Sequence, residues 1–161
     1  MRGFAPIFGS LPPATLPRLT DPGRFMSSVL SIAISGMQAA ATRLQVSARN
    51  VANAGSSGAL PDAQGNYPAG APLAYTPQRV DQVDLSGGGT QAIVSNVAPS
   101  YMPTYDPGAP YANADGQVAS PNVDLTEEAI QQLVARYTFA ANARVVTAYD
   151  QMVKSLLDIT A

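Results

Sequence analysis

Residues 48–55, "ARNVANAG", close a long apolar-rich run and hand the chain over to proline and glycine. Asn50 and Asn53 stand one helical turn apart there, with Gly55 just beyond. Asparagine tolerates the left-handed conformation and its amide can bond freed carbonyls, so Asn53 or Gly55 is expected to cap a helix at its C-terminus. Asn50 lies too far inside the closing turn for that task. It is expected to reach a polar group on a facing helix, such as Asn142.

Working back from this terminus, Leu30, Ile34, Met37, Ala41, Leu44, Ala48 and Val51 recur in alternating steps of four and three, a heptad seam. Alanine blurs its phase, because a frame through Met26, Leu30, Ala33, Met37, Ala41, Leu44, Ala48 and Ala52 fits as well. A helix over 26–53 would run roughly 40 Å.

Proline marks where helix is allowed. Every proline lies in 1–25 or 54–123, leaving 26–53 and 124–161 free of it. In the second free block Ile130, Val134 and Tyr137, then Ala141, Val145 and Ala148, then Met152, Leu156 and Ile159 repeat every eleven residues. Eleven residues in three turns give a nearly straight or slightly right-handed seam. Asp124 is placed to cap this helix, with Glu127 at the capping-box position and Glu128 adding charge favoured at a helix N-terminus. A second stripe of Phe139, Val146, Val153 and Leu157 runs beside the seam. A helix apolar on two sides needs two covers. One is the other helix; the second is another copy or another protein. The competing reading is a compact two- or three-helix core with surplus Val and Ala.

The middle, 54–123, is rich in turns. "QRVDQVDL" (78–85), "SGGGT" and "QAIVSNV" (91–97) read as a β-hairpin with a glycine reversal. Two strands alone are marginal, so the hairpin is expected to lean on a helix or a neighbour. The glycine run lacks the Lys-Ser/Thr and following helix of a phosphate loop, and reads as a turn. Tyrosines in "YMPTYDPGAPYANADG" (101–116) suit either plain packing or extended docking.

Composition narrows function. The 161 residues carry 12% charged side chains, a net charge of −2, one lysine (Lys154), and neither Cys nor His. Nucleic acid is a poor partner for such a chain, and thiol, histidine and most zinc chemistry are removed. Neither a cofactor nor a metal is called for. No run approaches the ~20 apolar residues of a membrane span, so no lipid-embedded segment is expected. Residues 1–25, broken by five prolines, do not read as a signal peptide. Paired-carboxylate glycosidase chemistry needs two acids across a cleft. The only glutamates, Glu127 and Glu128, are adjacent at a helix start, and Asp81 and Asp84 sit on the hairpin. An enzyme is not expected.

"SGMQAAATRLQVSARNVANA" (35–54) resembles the N-terminal signature of the bacterial flagellar rod and hook proteins, in Ser35, Gly36, Met37 and in Asn50, Val51, Ala52, Asn53. "YDPGAPYANADGQVASPNVD" (105–124) is similar to the approach to the C-terminal helix in proximal-rod subunits of that family. Tyr105, Pro107, Pro110, Asp115, Gly116, Val118, Pro121, Asn122, Val123 and Asp124 carry that likeness, and Arg136, Tyr137, Ala141 and Asn142 follow it loosely. The chain departs from the family pattern at Ile130, where a Met is usual, and lacks the Thr-Pro-Gly-Tyr of larger axial proteins. Residues 1–25 have no family counterpart: either Met26 is the initiator and 1–25 a start-site artefact, or 1–25 is a disordered leader. "FAPIF" (4–8) has the look of an export-gate motif.

The resemblance implies a mainly α chain whose terminal helices (26–53 and 124–161) pair as an antiparallel coiled coil, one discontinuous domain around the 54–123 insert. It implies a structural subunit of the proximal rod, self- and co-assembling through its helices to transmit torque. Partners would be further copies, neighbouring rod proteins and the flagellar type III export apparatus. The place would be the basal body across the periplasm, reached without a cleaved signal peptide. A non-flagellar helical-hairpin secretion substrate or adaptor is the alternative. The residues expected at helix and assembly interfaces are those of the seams (Leu30, Ile34, Met37, Ala41, Leu44; Ile130, Val134, Tyr137, Ala141, Val145, Ala148, Met152, Leu156, Ile159) with Asn50, Asn53 and Asn142.

Overall fold

A computed structural model describes residues 22–160. The leader's 1–21, with its 4–8 motif, lies outside them. The chain runs α1 (Pro22–Asn53), β1 (Gln78–Asp84), β2 (Thr90–Asn96), β3 (Tyr101–Tyr105), β4 (Gln117–Pro121) and α2 (Leu125–Thr160).

Helix α1 starts four residues before the proline-free block, at Pro22. A proline is tolerated in a first helical turn, where its missing N–H would have had no partner. The helix ends as the asparagine pair predicted, by a different device. Among the described residues every positive φ belongs to a glycine, and Gly55 is not one of them. Asn53 instead donates its side-chain amide to the Arg49 carbonyl at 2.8 Å, while its own carbonyl accepts from Ser56 N. Side-chain capping thus replaces the expected left-handed cap.

Helix α2 starts at the expected cap: Asp124 Oδ1 accepts from Thr126 N (2.8 Å) and Glu127 N (3.2 Å). The box is half made, because the Glu127 carboxylate takes the Gln131 amide.

The helices pack antiparallel, with Gly36 against Asn142, Arg43 against Gln131 and Asn50 against Glu128. The facing positions are not those of the greasy seams. On α1 the inner face is Ala33, Gly36, Ala40, Arg43, Ser47 and Asn50, in steps of three and four. On α2 the covered positions are Gln131, Asn142 and Val153, with Ala135 and Val146, and Thr138 and Tyr149, each set eleven apart. The period was right and the phase one residue off. Small residues let the helices close up, since interaxial distance follows the side chains at the contact. The bulky seams are left outside.

The hairpin forms with Asp84 opposite Thr90 and Gln78 opposite Asn96. It leans on α1, where Ser35 Oγ accepts from Thr90 N at 3.1 Å and Arg43 donates to Gln82 at 2.8 Å. Gly89 has φ +90°, and a Cβ there would stand 2.5 Å from Ser35 Oγ, so only glycine fits this close tip. A second antiparallel pair, β3 with β4, was not foreseen. Gly58 adds a bridge to Ala119, and Ala59, Val118, Ala119 and Pro121 are buried beside it, as is Pro77 before β1.

Candidate assembly surface

Two features concentrate the chain's unusual chemistry. The first is a polar knot where α1, the start of β1 and the first turn of α2 meet. Asn50 is 1% exposed. Its Nδ2 donates to the Gln78 carbonyl (2.7 Å) and to Glu128 Oε1 (2.5 Å). Its Oδ1 accepts from the Tyr75 hydroxyl (3.0 Å) and Gln78 N (3.1 Å). Two donors and two lone pairs are all used, the condition under which a buried amide is tolerated. Beside it Ser47 Oγ donates to the Glu128 carbonyl at 3.1 Å. Burial pushes the Tyr75 phenol above its ordinary value; the Arg49 guanidinium opposes this and the Glu128 carboxylate adds to it.

Asn50 therefore does reach the facing helix, but to Glu128 rather than to Asn142. Asn142 lies over Gly36, its amide turned to the Thr138 carbonyl of its own helix at 2.9 Å. The sequence offered no signal for Tyr75, Gln78 or Glu128 as partners. They lie far from Asn50 in the chain and in no periodic relation to it.

The second feature is the outer face. On α2 Ile130, Val134, Tyr137, Ala141, Val145, Ala148, Met152, Leu156 and Ile159 are all exposed, Tyr137 by 67% and Ile159 by 81%. On α1 Ile34, Ala41 and Leu44 are exposed, and Leu30 and Met37 half-buried. Of the second stripe, Phe139 and Leu157 are exposed while Val146 and Val153 are half-buried. Leu133, which the seam count missed, joins the outer face at 50% exposure.

The two outer faces are continuous. A cavity of about 580 Å³ lies between Ala40, Ala41 and Leu44 of α1 and Ala129, Leu133, Ala135, Arg136 and Phe139 of α2. Its floor is alanine, its walls are mostly large apolar groups, and the Gln132 amide and the Arg136 guanidinium lie among them. Burying a side chain the size of Leu or Phe contributes about 1.5–3 kcal/mol. Exposed apolar faces of this size commonly mark interaction sites or binding grooves. Among the described residues no group of His, Cys, Asp or Glu could hold a metal ion, and no helix is long and apolar enough to cross a membrane.

Comparison with known proteins gives this surface its context. The family described as flagellar basal body rod FlgEFG protein C-terminal matches residues 114–159, which hold β4 and nearly all of α2. The flagellar basal-body rod protein FlgC of Salmonella typhimurium is 33% identical over 136 residues, covering 80% of this chain and 94% of that protein. Its counterpart in Escherichia coli O157:H7 is 35% identical over 136 residues with the same coverage. That of Agrobacterium fabrum is 29% identical over 140 residues, covering 83% of this chain and 94% of its own length.

Paired terminal helices around a small β insert, a bare apolar face and these likenesses together define a flagellar rod protein, a structural class and not an enzymatic one. Within that class the chain belongs to the FlgC family of flagellar basal-body rod proteins. It is a structural subunit of the basal-body rod and serves motility.

Proposed function

We propose that the chain builds the proximal part of the rod, joining other copies and neighbouring rod proteins through the outer faces of α1 and α2 and passing torque along the stack. The observation that carries this is the nine-residue outer seam of α2, every member of which is exposed in the single chain. Residues 26–53 and 124–161 act as one discontinuous helical domain, with 54–123 as its insert. Seven- and eleven-residue spacings on the facing sides support reading the pair as a coiled coil. The chain reaches the periplasm unfolded through the flagellar type III apparatus, without signal-peptide cleavage. A helix pair that leans on neighbours for its outer cover suits such a route, because little stability has to be undone before passage.

Tyr137→Asp and Val145→Asp test the reading. Each places a carboxylate in the middle of the outer seam, away from the α1 contact. Cells carrying either change are expected to make normal amounts of the protein, fail to incorporate it into basal bodies, and lose swimming. Wild-type swimming with both variants would overturn the interface assignment.

A further inference from the structure

We infer that Asn50 is a positioning residue that sets the register of the helix pair. Apart from the close approach of Gly36 to Asn142, the inner face is made largely of small, interchangeable side chains. Ala33, Ala40 and Ser47 recur at seven-residue steps on α1 and are all small. A one-heptad slide would put Ala33 where Ala40 sits and Ala40 where Ser47 sits, positions nearly matched in size, although it would also bring Val29 to the close contact that Gly36 makes with Asn142. Apolar burial cannot discriminate between such registers, since it follows area and has no direction.

The Asn50 knot is not degenerate. Its four hydrogen bonds come from three places in the chain: Tyr75, both backbone groups of Gln78, and Glu128. Sliding α2 by seven residues would bring Ala135 to the level of Glu128 and leave one amide proton of a buried side chain without an acceptor. Sliding α1 would break the bonds to Tyr75 and Gln78 as well. A single buried asparagine with all its bonds made in one alignment is the best-attested way a helix pair specifies register. The knot also ties that register to the hairpin, because Gln78 opens β1. The inference rests on the fold alone and stands apart from the assignment of the outer seam.

The absence of cysteine makes the test clean. Ala40→Cys with Ala135→Cys reports the native register, both residues lining the same cavity. Ala33→Cys with Ala135→Cys, and Ser47→Cys with Ala135→Cys, report slides of one heptad in either direction. Such a slide moves the chain by about 10 Å. A disulfide closes only when Cα atoms lie within about 7 Å, so the pairs are exclusive. The full-length protein, expressed in its flagellated host, is oxidised in situ with diamide and its linked peptides are quantified.

With Asn50 present the native pair should dominate. Glu128→Ala, which removes one charge-assisted bond, should raise the slipped-to-native ratio ~10-fold, and Asn50→Leu, which removes all four bonds of the knot, at least as much. Val46→Ala, which removes buried volume and leaves the knot intact, should leave the ratio where it was. An unchanged ratio in Asn50→Leu or in Glu128→Ala would overturn the inference. So would an equal rise in Val46→Ala, or loss of all linked species in both knot variants, since a register selector should broaden the pairing and not abolish it.

Discussion

Gly36 and Asn142 share one site from opposite helices: a Cβ on Gly36 would stand 2.7 Å from Asn142 Nδ2 and 2.9 Å from its Cγ. The whole amide group, not just its tip, closes over the missing side chain. The glycine of the Ser-Gly-Met signature is thus a point of close approach between helices.

Two opposed effects follow for Gly36→Ala. Alanine favours a helix interior over glycine by about 1 kcal/mol, while the added methyl drives Asn142 from its place. Overpacking costs about 1–3 kcal/mol, so the variant is expected to be destabilised by about 1 kcal/mol net. In an Asn142→Ala background the sign should reverse, because the obstruction is gone and the propensity gain remains. A double-mutant cycle by urea unfolding measures this coupling.

Asp124 holds two amides at the start of α2 and is solvent-exposed. Asp124→Ala is expected to cost about 1 kcal/mol, and Asp124→Asn much less, since the amide oxygen accepts in the same way. Glu127→Ala should cost less than Asp124→Ala, as its carboxylate holds only the exposed Gln131 amide. Thermal melts of the three variants rank them.

Stability should fall at alkaline pH through Tyr75. Burial raises the phenol's pKa in the folded chain above its ordinary value of 10.0. The unfolded chain therefore loses this proton first, and above about pH 10 the folded state binds more protons than the unfolded one. Stability contributed by the neutral phenol is complete below that point and is lost as pH rises through the folded pKa. Tyr75→Phe should flatten this part of the profile, read from denaturant midpoints between pH 8 and 11.

Helicity should depend on concentration. A chain whose outer seam finds cover only on association gains helix as it associates, by mass action. Circular dichroism across a hundredfold concentration range should show rising helix content and a rising midpoint. Full helicity and an invariant midpoint at high dilution would contradict the assembly reading.

Much of this fold could be read from the sequence, and the parts that could not have physical reasons. The hairpin was legible because β-formers flank three glycines, and the reversal at 85–89 needs two of them at positive φ. Asp124 was legible as a cap from its place before an apolar run. The eleven-residue period of α2 was legible; its phase was not. Hydropathy shows which stripe is greasiest, and here the greasiest stripe faces out while Ala135, Thr138 and Asn142 face in. Strand β3 was hidden by Pro103, which an edge strand tolerates. The "PNVD" run was recognisable as a likeness long before its work was visible. Pro121 pairs with Tyr101, the Asn122 amide holds the Pro99 carbonyl, and Asp124 caps α2.

The segment 60–71 leaves and re-enters the body at nearly one point, for Ala59 N donates to the Pro72 carbonyl at 2.8 Å. Its two stems are pinned, and most of what lies between them is open to water. Lengthening such a loop costs only ~0.6 kcal/mol for each doubling. Extra chain inserted between these stems would leave the distance across the base of the loop unchanged and lie away from the packing of the two long helices, so this stretch is where the body can gain bulk at least cost to its frame.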